Sequence, residues 1–336
     1  QFFLLFTIYV LLILFFCKEK KILIDYKLEK HKRYSSKAKS HFLGGIFLLS
    51  FLIYYHTTTY IDYTFLIFAT SIFLIGFLSD LKKLNSVSLR FFIQLILIIL
   101  SVLFLNLEIQ TTKVDFLNLY FENKLINTFF VTFCLMVLIN GGNFIDGLNG
   151  ILLKYYISLF IVILFTLNSL NSVDTSLIIN LIFLLSILLI LNLLGFIYMG
   201  DSGAYLISFF TGIYLINLSF NNSSISPYLI IVFLWYPCFE LLFSMIRRKI
   251  QKIKTYNPDT LHLHQLIYNQ VKYKFNSSNY LYTHFITSLI INIYNLTIFI
   301  IAIRFVYNSE ILIAIILLNI LVYIFLYNFL IRIKLK

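Results

Sequence analysis

The chain has 336 residues, of which 60% are hydrophobic and only 12% charged, with a net charge of +12 and a mean hydropathy of +0.92. Long uncharged runs of this kind exceed what the core helices of a soluble protein need and argue against that class. Nucleic-acid binding is also a poor reading, because the basic residues are divided among short loops between greasy stretches rather than gathered in one patch.

A membrane span needs roughly 20 apolar residues. Eleven stretches qualify, at about 1–17, 42–56, 60–78, 89–107, 125–140, 151–168, 175–194, 204–220, 227–246, 281–303 and 311–331. Backbone groups find no water inside lipid, so each span is predicted to be a helix. The runs are too long and too uniformly apolar for barrel strands. The first span lacks a basic leader and a small-residue cleavage site, so it reads as a retained helix rather than a signal peptide. Cys17, Cys134 and Cys238 are odd in number, widely spaced and inside predicted spans. They suit small packing residues better than disulfides or metal ligands. The expected fold is all-α: a polytopic membrane protein of ten or eleven transmembrane helices. It forms a single domain over 1–336, with no internal repeat.

Six polar clusters interrupt the spans: Lys37–Gly45, Ser79–Arg90, Asn140–Gly150, Tyr198–Ser202, Arg247–His264 and Arg332–Lys336. An even number of crossings separates them, so all fall on one side. That side carries 23 of the 26 Lys and Arg residues; Lys113, Lys124 and Arg304 fall on the other. Basic loops stay cytoplasmic. The amino terminus is therefore expected outside, the carboxyl terminus inside, and the six clusters at the cytoplasmic face.

Three acids lie at the inner ends of spans: Asp80 after the third, Asp146 after the fifth and Asp201 before the eighth. Singly, each reads best as a solvated helix end. Carboxylates at membrane depth are costly and usually functional, and their joint placement in Gly- and Asn-rich turns shifts the reading toward a shared site. The run from Asn140 to Gly150 holds four glycines together with Asn140, Asn143 and Asn149. Glycine lets backbone N–H groups approach a ligand, and Asn both donates and accepts. The turn Tyr198-Met199-Gly200-Asp201-Ser202-Gly203 leads into the eighth span. Asp201 and Ser202 suit simple helix capping. They equally suit a phosphate with bound Mg²⁺, and Tyr198 could stack on a base. His262 and His264 form a His-x-His pair with no further Cys or His beside it, which is weak as a zinc signature. Next to acids and phosphates, these imidazoles suit hydrogen bonding to anionic oxygens.

These motifs resemble the polyprenyl-phosphate N-acetylhexosamine-1-phosphate transferases, the group that includes the phospho-N-acetylmuramoyl-pentapeptide transferases. The resemblance covers nearly the whole chain. It rests on Gly44-Gly45 after a basic loop, Gly76-Phe77-Leu78-Ser79-Asp80 with Arg90 and Gln94, Asn143-Phe144-Ile145-Asp146-Gly147, Met199-Gly200-Asp201-Ser202-Gly203, and Pro258-Asp259 with His262-Leu263-His264. The pattern departs at Ser79, where the family has a second Asp. It departs again at Asn149, where it has Asp, and at Gln265, where it has His. The Pro-rich entry to the Gly-Gly motif is also replaced, by Lys37-Ala38-Lys39-Ser40-His41-Phe42.

The resemblance implies transfer of a sugar-1-phosphate from a UDP-sugar to a polyprenyl phosphate, with release of UMP. It implies Mg²⁺, with Mn²⁺ as an alternative, held by Asp201 and Asp146. Asp80 would orient or deprotonate the acceptor, whose phosphate is already largely ionised near neutral pH. His262 and His264 would hold the sugar or pyrophosphate, and Lys37 stands where the family has a nucleotide-contacting lysine. Asn140, Asn143, Asn149 and Tyr198 join the substrate-binding set. The departures suggest a surface-polysaccharide branch in the bacterial inner membrane; a homodimer is left open. Three rival classes are a secondary transporter, a phosphatidyltransferase using a CDP-alcohol, which would cluster its Asp residues on one or two helices, and an inactive scaffold. A transporter would place acids near the midplane within repeats, which this chain does not do. The substitutions at Ser79, Asn149 and Gln265 are what permit the scaffold.

Overall fold

The computed structural model describes residues 2–24, 40–59, 62–167, 174–252, 261–275 and 279–334. In chain order the helices are α1 (Phe2–Lys20), α2 (Gly44–Thr59), α3 (Tyr63–Asp80), α4 (Val87–Phe104), α5 (Asp115–Phe121), α6 (Lys124–Ile145), α7 (Ile151–Leu167), α8 (Thr175–Leu193), α9 (Gly200–Asn221), α10 (Pro227–Ile250), α11 (Leu263–Lys274), α12 (Tyr280–Ala302) and α13 (Ser309–Lys334). The only strands among the described residues are β1 (His41–Phe42) and β2 (Ile197–Tyr198). Eight helices, namely α3, α4, α6, α8, α9, α10, α12 and α13, are long and apolar enough to cross a membrane. The other three predicted spans coincide with α1, α2 and α7. The protein is an all-α, polytopic membrane protein.

Short polar side chains start the helices. Asp62, Ser86, Asn123, Asp174 and Asn279 each accept a backbone N–H from the first turn that follows. Such caps satisfy donors that have no partner within the helix. α9 is the most enclosed span, 72% buried, whereas α13 is only 17% buried and faces outward. α2, α3 and α6 pack around α9. Glycines set the closeness of these contacts, as small residues do between membrane helices. A side chain at Gly44 would meet the Met199 Sδ atom at 2.6 Å, and one at Gly45 would meet Ser202 Oγ at 2.5 Å.

Several boundaries move from their predicted places. α6 does not stop at residue 140 but runs on through Gly141, Gly142 and Asn143 to Ile145. Those glycines serve packing: Gly141 lies against the Pro237 backbone of α10, and Gly142 against Ser208 of α9. α9 starts at Gly200, four residues early, and α10 continues to Ile250, carrying Arg247 and Arg248. α5 and α11 arise inside stretches expected to be loops. β1 and β2 form a two-residue parallel pair, His41 opposite Ile197 and Phe42 opposite Tyr198. That pair ties the entrance of α2 to the entrance of α9.

Candidate active site

Asp80 ends α3 and reaches across to the start of α9. Its Oδ1 accepts the Asp201 N–H at 2.8 Å. Its Oδ2 accepts the Ser202 N–H at 3.1 Å and the Ser202 hydroxyl at 2.7 Å. Asp80 therefore caps α9 from another helix, bringing negative charge to the positive end of the helix dipole. The residue before α9, Met199, makes no side-chain cap. Asp201 and Ser202 lie in the first turn rather than at the cap, so simple capping is not what occupies Asp201. Gly200 makes the approach feasible. Its φ is +70°, and a side chain there would come within 2.6 Å of Asp80 Oδ2. Only glycine takes this conformation and this contact without strain.

The freed Asp201 carboxylate turns to α3 and α4. The Ser79 hydroxyl donates to Asp201 Oδ2 at 2.6 Å, and Arg90 Nη1 donates to the same oxygen at 2.6 Å. Arg90 also donates to the Ser79 hydroxyl oxygen. Arg90 and Asp201 are 17% and 27% exposed, so this ion pair is neither sealed nor freely solvated. Among the described residues, Asp201 Oδ1 accepts no hydrogen bond. A carboxylate oxygen of a half-buried Asp is the donor type that a hard divalent cation takes together with substrate phosphates. No group of three or more His, Cys, Asp or Glu gathers as a metal site among the described residues. A cation at Asp201 would therefore depend on substrate oxygens to complete its shell.

A second cluster forms where α6, α10 and α11 meet. Asp146 follows α6 directly, and its N–H still bonds to the Gly142 carbonyl. His264 lies against the next residue: a side chain at Gly147 would meet its Nε2 at 3.1 Å. The rings of His262 and His264 stack nearly parallel, 5.5 Å apart. His262 also meets Phe144 edge-on at 5.1 Å, and the Arg248 guanidinium sits 5.9 Å from the Phe144 ring centre. The two histidines thus share one neighbourhood with the Asp146 turn. Glu240 of α10, buried at 1% exposure, holds His262 through its Nδ1 at 3.0 Å. Glu240 lies outside the motifs expected to form the site, although a lone acid inside an apolar span is a functional signal in itself.

Tyr205 joins the two clusters. It stands one turn after Asp201 on α9, and its hydroxyl accepts from Asn143 Nδ2 at 3.5 Å. Periodicity alone could have placed Tyr205 on the face of Asp201, but its partner comes from α6 and is not legible locally. Three other expected site residues have contacts of their own. Asn140 donates to the Met136 carbonyl of its own helix. Asn149 is buried, donating its amide to the Asn192 carbonyl at 2.8 Å and its backbone N–H to His284. Tyr198 is buried in β2. Lys37, with Pro258 and Asp259, lies outside the described residues.

Fold and site together define a polytopic membrane protein whose carboxylates, arginine and histidines converge at one end of the bundle. Residues 63–219 match glycosyl transferase family 4. That segment, from α3 into α9 with Asp80, Asp146 and Asp201, is similar to the family; Glu240, His262 and His264 lie beyond the match. The match supports a transferase. No curated protein matches it.

Proposed function

We propose that the protein transfers an N-acetylhexosamine-1-phosphate from a UDP-sugar to undecaprenyl or another polyprenyl phosphate, releasing UMP, as the first step of a cell-surface polysaccharide. The observation that supports this reading is the α3–α9 junction, where Asp80 grips the backbone and the part-buried Asp201 carboxylate pairs with Arg90. This junction falls inside the family match.

In the reaction, an oxygen of the lipid phosphate forms a bond to the β-phosphorus of the donor. The bond from that phosphorus to the bridging oxygen breaks, and UMP leaves with that oxygen. Such transfer depends on positioning and charge neutralisation more than on covalent help. Asp80 acts by holding Asp201 in register. Asp201 and Asp146 would hold Mg²⁺, with Mn²⁺ as a substitute. The ion, when bound, would neutralise the pyrophosphate. Arg90, already at the site, offers further positive charge to the phosphates. His262 and His264, buried beside the Asp146 turn, would hold the sugar-phosphate. The bilayer supplies the lipid acceptor, so the acceptor need not leave the membrane. The active end is assigned to the cytoplasmic face of a bacterial inner membrane, where UDP-sugars are found, on the basis of the basic-residue asymmetry.

One observation favours a second reading, an inactive scaffold: Arg90 neutralises Asp201 without any added ion. Purified protein in detergent, given labelled UDP-N-acetylhexosamines, undecaprenyl phosphate and Mg²⁺, separates the two. Label moving into the lipid phase supports the transferase; label remaining wholly aqueous supports the scaffold.

A further inference from the structure

The seam where α7 and α11 pack on α12 carries positive charge and no negative charge. None of the three helices contains an Asp or Glu. Lys154 is the fourth residue of α7, soon after the Asp146 turn. Its Nζ donates to Ser288 Oγ of α12 at 2.7 Å, reaches the Phe285 carbonyl at 3.4 Å, and sits 4.4 Å from the centre of the Phe285 ring. Among the described residues no carboxylate pairs with Lys154. An ammonium has three N–H donors, so one remains, and its charge is unanswered by any acid. A cation at the edge of a span is kept where it can reach an anion or water.

The same seam is open to the bilayer. Tyr282, Phe285 and Leu289 recur at helical spacing along one face of α12 and are 44%, 41% and 37% exposed. The end of α11 folds onto that face: Phe275, just past the helix, meets the Tyr282 ring edge-on at 6.4 Å. Lys272 and Lys274, in the last turn of α11, are exposed. An exposed aromatic strip thus has Lys154 at one end and two further lysines at the other. Aromatic rings of this kind belong at the level of the lipid headgroups, where lysines reach phosphate. Charge complementarity selects an acidic headgroup over a zwitterionic one, whose own ammonium would oppose the lysines. The acceptor lipid fits less well, because the Asp201–Arg90 junction is built by α3, α4 and α9, and the strip meets the far end of α11 from His264.

We infer that this strip binds acidic glycerophospholipids of the bilayer, with Lys154 at one end and Lys272 and Lys274 at the other taking headgroup phosphates, and with Tyr282 and Phe285 against the lipid. The site stands whether or not the chain transfers a sugar phosphate.

The test uses the full chain in a neutral detergent, titrated with phosphatidylglycerol or phosphatidylcholine, with bound lipid counted by native mass spectrometry. Phosphatidylglycerol should bind more tightly, and added salt should narrow the gap. A lysine close to an acidic lipid surface strengthens binding by about fivefold. Lys154→Met should therefore weaken phosphatidylglycerol by about fivefold and leave phosphatidylcholine unchanged, while Lys154→Arg keeps the preference. Lys272→Gln together with Lys274→Gln should weaken it by about 25-fold. Lys113→Gln, at the opposite end of the bundle, should have no effect. Equal affinity for the two lipids, or a preference that survives all three substitutions, overturns the proposal. So does undecaprenyl phosphate binding that depends on these lysines when phosphatidylglycerol binding does not, and so does displacement of the lipid by inorganic phosphate. If Lys154→Met does not fold, the exposed pair Lys272 and Lys274 decides by the same titration.

Discussion

Ser79, Asn149 and Gln265 stand where the resembled pattern has two acids and a histidine, and each has a hydrogen bond in place. Ser79 donates to Asp201 and Asn149 donates to the Asn192 carbonyl, which an ionised Asp at either position could not do. Gln265 accepts the His262 N–H at the start of α11. Asn149→Asp would bury a charge against a carbonyl oxygen and lose a donor. A destabilisation of about 1–3 kcal/mol is expected, measured as a lower unfolding temperature in detergent. Asp201→Asn keeps the shape and the hydrogen bond from Ser79 but removes the charge. Because Asp201 is not the cap of α9, this variant should fold normally while UMP release falls by about 10²–10³-fold, the scale seen on losing one charge-stabilising group. Wild-type turnover in the folded variant would remove Asp201 from the site. Asp80→Asn behaves differently. It places an amide where three donors converge, so both stability and turnover should drop, with a stability loss of about 1–2 kcal/mol, as for other lost caps.

At the scale of elements, the spans were legible because their runs of apolar residues have no other stable home. Their ends were less so. α6 outlasts its prediction because Gly141 and Gly142, which look like turn residues in sequence, are used for helix contact. α9 starts early because its cap comes from α3, and a cap supplied from another element leaves no local signature. α11 arises in a basic loop, its start fixed by contacts from Glu240 and Gln265. The α3–α9 junction itself yields a sharp prediction. Gly200→Ala imposes a left-handed conformation on a residue with a side chain and presses that side chain on Asp80. A loss of about 1–3 kcal/mol is expected, accompanied by loss of activity, read by thermal unfolding and UMP release on the same sample. An unchanged Gly200→Ala protein would show that the junction is looser than described.

For the whole molecule, the even spacing of polar clusters foretold that distant loops share one end, and contacts such as Asp80 with Ser202 and His41 with Ile197 bring them there. What the sequence could not show is which members of those clusters face inward. Asn149 and Tyr198 are buried, whereas Glu240 looks like an oddity in a greasy helix yet holds His262. Pairings of this kind depend on tertiary neighbours tens of residues away. Orientation follows from charge: a reporter fused after Lys336 should behave as cytoplasmic, and an external signal would move the site to the wrong compartment for UDP-sugars. The most direct test of the central claim follows the β-phosphorus of the donor. The protein is incubated with Mg²⁺, undecaprenyl phosphate and UDP-N-acetylhexosamine labelled at the β-phosphate, and the lipid phase is extracted. Sugar-1-phosphate transfer predicts that the label enters the lipid and that unlabelled UMP accumulates in equal amount. Label retained in water as UDP, with or without sugar transferred to lipid, would contradict the account.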